Sequence, residues 1–317
     1  MSAAFAHRSD DAGRPTEGGA ELDTDFDTYL AERRAHVEKF LDQWVPSEDT
    51  PPQTISRAVR YSLFAGGKRL RPILVLASAE AVGGSLDEAL PAAAAFEMIH
   101  TYSLIHDDLP AMDDDSLRRG KPTSHVVFGD AIAILAGDAL QTHAFSVLSH
   151  GPSAVDHGRR LRAVALLADA AGAAGMVGGQ VADLEAEGQN IDAGELEFIH
   201  RHKTGALIRA ACEVGAVIGG GDSEQVAGLA RYGGSIGLAF QIIDDILDVV
   251  GSAETLGKSA GKDEKAGKAT YPNIHGINPA RTRAQELVTA ALEELAPFEP
   301  RAQPLCKLAK RILDRTS

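Results

Sequence analysis

Two clusters of aspartates are the residues whose type and spacing most clearly suggest chemistry in this sequence. The first occupies residues 107–115, and the second consists of Asp244, Asp245 and Asp248. Residues three, four and seven apart lie on one face of a helix, so the second cluster and Gln241 are predicted to form one polar stripe. Stacked carboxylates repel one another unless a cation lies among them. Oxygen ligands suit magnesium that also contacts phosphate, and a magnesium–phosphate site is therefore predicted.

The first cluster contains a break that can bring its carboxylates together. Pro110 has no backbone N–H, so the helix that carries Asp107 and Asp108 should end there, and Asp113 can then turn back toward Asp107. Either aspartate cluster alone could instead be a solvated acidic face or a helix cap. Because both clusters adjoin strongly apolar helical sequence, a shared site is the better interpretation.

Basic residues give a second set of signals in a chain whose formal net charge is −14. Gly66–Pro72 places several cations at a predicted helix start, where backbone N–H groups also favour anions. Each basic residue taken singly could be an ordinary surface charge, but together they offer enough positive charge for two diphosphate groups. The candidates are Lys68, Arg69, Arg71, Arg118, Arg119, Lys203 with its neighbour Thr204, Lys258 and Lys268.

The elements that must position these residues are predicted to be helices. Apolar residues recur at helical spacing, alanine-rich runs are frequent, and aromatic residues make up only 5% of the chain. We expect an all-α fold, with a disordered tail over 1–22 and one domain over 23–317. Segment 251–279 is rich in Gly and Lys and lacks apolar periodicity, which predicts a loop. The predicted helices are 25–44, 54–63, one that opens at 71–72, 87–108, 130–149, 160–187, 194–220, 224–250, 281–295 and 302–315.

Charge and composition also argue against some functions. The acidic average charge disfavours nucleic acid and anionic membrane surfaces as partners. We find no run of about eighteen uninterrupted apolar residues, so no membrane span is predicted. Residues 1–20 lack the apolar segment of a secretory signal, and Cys212 and Cys306 do not suggest a disulfide framework. We expect a cytoplasmic protein.

The motifs together resemble one known family. Residues 100–113 read HTYSLIHDDLPAMD and residues 117–122 read LRRGKP, which is similar to the first aspartate-rich motif of the trans-prenyl diphosphate synthases. Residues 240–248 read FQIIDDILD and resemble the second motif of that family. The resemblance covers about residues 25–317 and is strongest to the bacterial farnesyl diphosphate synthases. It implies a single helical bundle of the isoprenoid synthase type around a central apolar cavity.

The resemblance also implies a reaction and a role for each motif. The reaction is the magnesium-dependent head-to-tail condensation of isopentenyl diphosphate with dimethylallyl or geranyl diphosphate. Two to three Mg²⁺ ions are expected on Asp107, Asp113 and Asp244. The other residues with an expected catalytic role are Asp108, Asp245, Asp248 and Lys203.

Two groups of basic and polar residues are expected to hold the two substrates. The diphosphate of isopentenyl diphosphate would bind to Lys68, Arg71, His100 and Arg119. The residues expected at the allylic diphosphate are Arg118, Lys203 and Lys258, and further substrate-binding positions are Thr204, Gln241 and Lys268.

Product length is expected to depend on Tyr102 and its neighbour Ser103. Tyr102 lies five residues before Asp107, or about 7.5 Å along a helix. In the family, an aromatic residue at this position acts as a floor that favours the fifteen-carbon farnesyl product. The alternatives are that Tyr102 only fills the core and that the chain is a geranylgeranyl diphosphate synthase.

Other classes fit the sequence less well. An HD phosphohydrolase would match His106-Asp107, but it needs a further upstream histidine and none occurs between His36 and His100. A terpene cyclase or head-to-head synthase would not require the cations of Gly66–Pro72 for a second diphosphate. A regulatory subunit would usually have eroded motifs, whereas both aspartate clusters are complete. By resemblance, a homodimer is expected, and the helix at 130–149 is a candidate interface.

Overall fold

The computed structural model describes residues 18–151, 154–254 and 269–316, with side chains over 25–151, 154–250 and 269–315. Within these ranges, the strands are two short ones, β1 (Leu117–Arg118) and β2 (Lys121–Pro122), which pair antiparallel. All other regular structure in the described ranges is helical, so the predicted all-α fold is confirmed.

In the N-terminal part of the fold, the two helices over residues 70–81 and 86–107 are buried on most sides. Residues 92–95 are four consecutive alanines with almost no exposed surface, and these small side chains let neighbouring helices approach closely. The first helix begins inside the segment 1–22 that was predicted as a tail, while residues 1–17 lie outside the described residues. The helices are α1 (Gly18–Trp44), α2 (Gln53–Leu63), α3 (Leu70–Ala81) and α4 (Leu86–Asp107).

The middle of the chain contains more breaks than the periodicity predicted. The helix predicted over 160–187 is two helices, because a turn over residues 172–175 with glycine at both ends separates them. The helix predicted over 194–220 contains one π-helical turn, His200–Gly205. The helices are α5 (Ser124–Phe128), α6 (Asp130–His150), α7 (His157–Ala171), α8 (Met176–Ala186), α9 (Ala193–Ile199), α10 (Ala206–Gly219) and α11 (Ser223–Glu254).

The C-terminal part corrects the loop predicted over 251–279. Residues 251–254 still belong to α11, and a short helix already begins at Tyr271, where Pro272 suits the first helical turn. Residues 255–268 lie outside the described residues. The remaining elements are α12 (Tyr271–His275), α13 (Ile277–Leu295), α14 (Gln303–Leu313) and the 3₁₀ turns Ala296–Phe298 and Asp314–Thr316.

Helix packing brings the two aspartate clusters to the same bundle. The helix α4, which ends in the first cluster, packs against α3, α6 and α10. The helix α11, which carries the second cluster, packs against α10, α13 and the π-helix. Because α10 contacts both α4 and α11, the bundle holds the two motif-bearing helices on a common support.

Two helical segments of the described chain satisfy the length and hydropathy of a membrane span. They are Asp130–His150 and His157–Ala186, and 39% and 33% of their most apolar windows are buried inside the protein. The second segment is interrupted between α7 and α8, and core helices of globular proteins pass the same test. The predicted lack of a membrane span stays a prediction.

Candidate active site

A cavity of about 590 Å³ lies between α4, α6, α8 and the π-helix. Much of its lining is apolar and comes from Tyr102, Leu109, Ile134, Met176, Val177, Val181 and Leu184. The same cavity is lined by charged and polar side chains, which are Arg71, His100, Ser103, Asp107, Gln180, Lys203 and Thr204. An apolar volume with ionic groups along its wall suits an amphiphilic ligand with a charged head.

The chain reverses at the end of α4, as Pro110 predicted. The Leu109 N–H donates to the His106 carbonyl, and the Asp113 N–H returns to the Asp107 carbonyl at 2.9 Å. Asp114 completes the turn with a positive φ of 49°. The backbone therefore brings Asp107 and Asp113 into one tight turn.

Asp107 lies at the cavity in surroundings that disfavour its charge. Burial raises its pKa to about 6, and the neighbouring carboxylate of Asp113 adds to the rise. The cations of Lys203 and Arg118 oppose this effect but do not cancel it. Asp107 is thus a carboxyl group whose charge is only partly compensated by the protein.

The adjacent residue, Asp108, has a different environment. Its carboxylate is buried and accepts three hydrogen bonds from Arg118, at 2.6, 2.8 and 2.9 Å. The prediction placed Asp108 among the catalytic residues and Arg118 at a diphosphate. In the structure, Nε and Nη2 of Arg118 are paired with Asp108, so this ion pair holds β1 against the end of α4. Both predicted roles stay predictions.

The basic residues of Gly66–Pro72 have different environments: one is buried inside the protein and another lines the cavity. Arg69 is buried with Glu97, with 1% and 3% of their side chains exposed and 2.6 Å between Nη1 and Oε1. Arg69 also donates to the Leu63 carbonyl. Arg71 instead lines the cavity, and Lys68 is exposed. Arg69 is therefore a structural cation, and sequence reasoning missed its partner Glu97.

His100 and Arg119 lie close to Arg69 and Arg71. Burial lowers the pKa of His100 well below its usual value, and Arg71 and Arg119 lower it further, so the imidazole is neutral. Gly67 has a φ of +138°, and a Cβ there would lie 2.6 Å from Nη1 of Arg119. Because Gly67 has no Cβ, the Arg119 guanidinium can pack directly against the backbone there.

The π-helix presents Lys203 and Thr204 to the cavity. Lys203 Nζ donates to Asp183 Oδ2 of α8 at 2.6 Å. On the same helix, both amide atoms of Gln180 are buried without a hydrogen-bond partner among the described residues. Sequence reasoning missed Gln180 and Asp183, although their spacing of three residues places both on one helical face.

The second cluster also divides between two environments. Arg315 of the last 3₁₀ turn lies over the Phe240 ring and places Nη1 2.6 Å from Asp244 Oδ1. Burial raises the pKa of Asp244, while Arg315 and then Lys68 lower it. Sequence reasoning missed Arg315, because nothing in a linear pattern links the C-terminus to α11.

Asp245, the next residue, faces the protein. Its Oδ2 accepts from the Tyr271 N–H at 2.7 Å and lies 3.4 Å from Nε2 of His200. Asp248 is exposed and Gln241 is half-buried on α11. Lys258 and Lys268 lie outside the described residues.

The carboxylates present fit magnesium in part. Among the described residues, no three His, Cys, Asp or Glu side chains converge closely enough to hold a metal ion by themselves. Magnesium often binds through one or two carboxylates and substrate phosphate oxygens, so such a cage is not required. Asp107 lacks a full counter-charge, and the Arg315 guanidinium stands beside Asp244 as a cation would. These two carboxylates, with Asp113, are chemically suited to the metal.

Comparison with known proteins identifies the family. The family model described as polyprenyl synthetase matches residues 52–299. The chain is 55% identical over 289 residues to a dimethylallyltranstransferase of Fischerella ambigua, covering 91% of this chain and 83% of that protein. The chain belongs to the polyprenyl synthetase family. It is also 48% identical to a geranylgeranyl diphosphate synthase of Cyanophora paradoxa, over 93% of this chain and 99% of the relative.

A solved structure agrees with this assignment. The FPP/GFPP synthase of Zymomonas mobilis superposes with a TM-score of 0.83 and 38% identity, over 92% of this chain and 99% of that one. The helical bundle is therefore the isoprenoid synthase fold that the resemblance implied. The chain is a prenyl diphosphate synthase, and its activity is that of a prenyltransferase.

Proposed function

We propose that this prenyl diphosphate synthase condenses isopentenyl diphosphate head to tail with dimethylallyl or geranyl diphosphate. The observation that carries the proposal is one cavity that combines an apolar lining with Asp107, Lys203, Arg71 and His100. The apolar part suits a growing prenyl chain, and the charged groups suit two diphosphates. Apolar walls also exclude water, which would otherwise quench an allylic cation.

Each substrate is assigned to its own group of residues. Lys68, Arg71 and Arg119 would hold the diphosphate of isopentenyl diphosphate, with His100 as a neutral hydrogen-bonding group. Lys203 and Thr204 would hold the allylic diphosphate from the π-helix. Further allylic contacts are proposed for Gln241, Lys258 and Lys268, and Arg118 would contribute positive charge while it remains paired with Asp108.

Two to three magnesium ions are proposed as cofactors, held by Asp107, Asp113 and Asp244. When bound, they would neutralise the charge that develops on the departing diphosphate. Asp248 is proposed to support this side of the site. We expect turnover to stop when EDTA removes divalent metal and to return with added Mg²⁺; turnover that persists in EDTA would contradict the cofactor proposal.

We propose a fifteen-carbon product, with Tyr102 as the floor of the cavity. The Tyr102 ring is buried and lines the cavity beside Ser103, and its hydroxyl has no hydrogen-bond partner among the described residues. Its ring packs edge-on against His106, with 5.7 Å between the centroids. The second candidate product is geranylgeranyl diphosphate, which is favoured by the name of the Cyanophora paradoxa relative.

Substitution of Tyr102 tests the floor. Tyr102→Ala should lengthen the product to twenty carbons or more, because removal of the ring opens the apolar cavity. Tyr102→Phe is the matched control: it keeps the ring and removes only a hydroxyl without a partner, so it should leave the product unchanged. The alcohols obtained after dephosphorylation are identified by chain length. Equal product lengths from wild type and Tyr102→Ala would reject the floor.

We also propose that the chain forms a homodimer. Four large apolar side chains are exposed on α5 and α6, namely Val126, Val127, Ile134 and Leu135. Such a group of exposed apolar residues on neighbouring helices is typical of a protein interface. Ile134 also lines the cavity, so a partner on this face would cover part of its opening.

A further inference from the structure

The π-helix His200–Gly205 is the element that carries Lys203 and Thr204, and it is an unusual one. A π-helical turn contains one residue more than an α-helical turn and occurs mostly at functional sites. If the segment were α-helical, one residue would be out of register, and the side chains on either side would rotate relative to each other by about 100°. The π-helical register is therefore what points Lys203 toward Asp183 and the cavity.

Close backbone contacts hold this register from two sides. A Cβ on Gly179 of α8 would lie 2.1 Å from the backbone nitrogen of Lys203. A Cβ on Gly237 of α11 would lie 3.0 Å from the Cα of Gly205. The second half of the π-helix is thus clamped between two glycines, whereas its first residue, His200, needs a separate anchor.

That anchor is the contact between His200 and Asp245. Both residues are buried, with 6% and 8% of their surface exposed, and Nε2 of His200 lies 3.4 Å from Oδ2 of Asp245. The same oxygen accepts the Tyr271 N–H at 2.7 Å. His200 Nδ1 has no hydrogen-bond partner among the described residues. Nε2 is therefore the ring nitrogen that faces a polar partner, and the Asp245 carboxylate lies where the π-helix, α11 and α12 meet.

We propose that His200 is a positioning residue for the allylic diphosphate, acting through Asp245 to fix the π-helical register that presents Lys203 and Thr204. Asp245 is then an internal anchor, while its neighbour Asp244 faces the Arg315 cation. The inference rests on the proposed function only in naming the diphosphate as allylic. The contact between His200 and Asp245 can affect Lys203 because His200 and Lys203 lie three residues apart in the same helical turn.

Two conservative substitutions of His200 test the proposal. In His200→Gln the amide nitrogen can take the place of Nε2, and the contact with Asp245 is kept. In His200→Asn the shorter amide reaches only the place of Nδ1, and the contact is lost. We expect His200→Asn to raise the KM for the allylic diphosphate about tenfold and to leave that for isopentenyl diphosphate within about twofold. His200→Gln should resemble wild type.

A matched control lies in the same turn. His202 is stacked on Phe198, with 3.8 Å between the ring centroids, and its Nδ1 is hydrogen-bonded to the Phe198 carbonyl and not to Asp245. His202→Asn should leave both KM values unchanged. In a Lys203→Ala background, His200→Asn should raise the allylic KM by a smaller factor than in wild type, because one of the two contacts that it disturbs is already absent.

Binding of inorganic diphosphate with Mg²⁺, followed by calorimetry, gives a readout that needs no turnover. We expect His200→Asn to weaken this binding and His200→Gln to preserve it. If wild type binds diphosphate but makes no prenyl product, the proposed function fails while the His200 variants still decide this inference. Equal changes in both KM values, additive effects with Lys203→Ala, or loss of folding in His200→Asn alone would overturn it.

Discussion

Neighbouring carboxylates in each aspartate cluster have opposite surroundings. Asp107 and Asp244 are half-buried groups whose pKa is raised by burial, although Asp244 has Arg315 beside it. Asp108 instead accepts three hydrogen bonds from Arg118, and Asp245 accepts a backbone N–H beside His200. Burial without full pairing opposes the charged form of a carboxyl group, and pairing supports it. Burial thus opposes the charge of Asp107 and, despite its Arg315 partner, that of Asp244, which suits both carboxylates to bind a further cation.

The ionised carboxylate of Asp107 should accordingly destabilise the metal-free protein. Its pKa of about 6 in the fold lies above the ordinary value of 3.8, so the penalty is absent below about pH 4 and complete above about pH 6. Asp107→Asn should raise the free energy of unfolding by up to about 3 kcal/mol at pH 8 and hardly change it at pH 4. Denaturant titrations in EDTA at both pH values measure this.

The same substitution should nearly abolish turnover, because Asp107 is a proposed magnesium ligand. A more stable but inactive enzyme is the expected combination at pH 8. Asp107→Asn that is less stable than wild type at pH 8, or that retains activity, would contradict the account of this residue.

At the scale of elements, the Asp108–Arg118 ion pair connects the end of α4 to β1. Asp108 is buried and Arg118 is one-third exposed, so Asp108→Ala removes three partly buried hydrogen bonds and should destabilise the protein by about 2 kcal/mol. Asp113→Ala, five residues away on an exposed position, should change stability by less than about 1 kcal/mol. Urea denaturation without metal compares the two variants; equal losses of stability would show that Asp108 has no anchoring role.

The sequence predicted helices better than their interruptions. Apolar periodicity gave the helix at 130–149 within one residue of α6, and the missing N–H of Pro110 correctly predicted the end of α4. It missed the turn between α7 and α8, because glycines inside an alanine-rich run leave the apolar pattern nearly unchanged. The π-helix was also missed, since its register depends on contacts with Gly179, Gly237 and Asp245 that only the folded chain creates.

The site itself was only partly predictable, for a similar reason. Residue types and spacing identified Asp107, Asp113 and Lys203, which meet at or beside one cavity. They could not separate Arg71, which lines that cavity, from Arg69, two residues earlier in the same motif. The Arg69 side chain is buried and paired with Glu97 of α4. Which of two adjacent like residues faces a site depends on the helix phase and on distant partners, and neither is local in the sequence.

At the scale of the whole molecule, the exposed apolar face of α5 and α6 should determine oligomeric state. Leu135 is 53% exposed, and Leu135→Glu would place a charge in the proposed homodimer interface. Light scattering should give wild type twice the chain mass of 33.3 kDa and Leu135→Glu a single chain. Ile277→Glu, on an exposed position of α13, is the control and should remain dimeric. A monomeric wild type would exclude the homodimer.

The acidic chain places several of its proposed substrate-binding cations in or beside one cavity. With a formal net charge of −14, the protein repels anions on average, while Arg71, Arg119 and Lys203 lie in or beside the cavity. Diphosphates are therefore expected to bind at this cavity and not elsewhere on the surface. Turnover should also fall with rising ionic strength, since salt screens this attraction.

The most direct test of the central claim is the product made from the two proposed substrates. The purified protein is incubated with Mg²⁺, isopentenyl diphosphate and dimethylallyl diphosphate, and the products are dephosphorylated and identified as alcohols. We predict mainly farnesol. Geranylgeraniol would keep the condensation and reject the Tyr102 floor, whereas the absence of any alcohol longer than the five-carbon starter would contradict the proposed reaction.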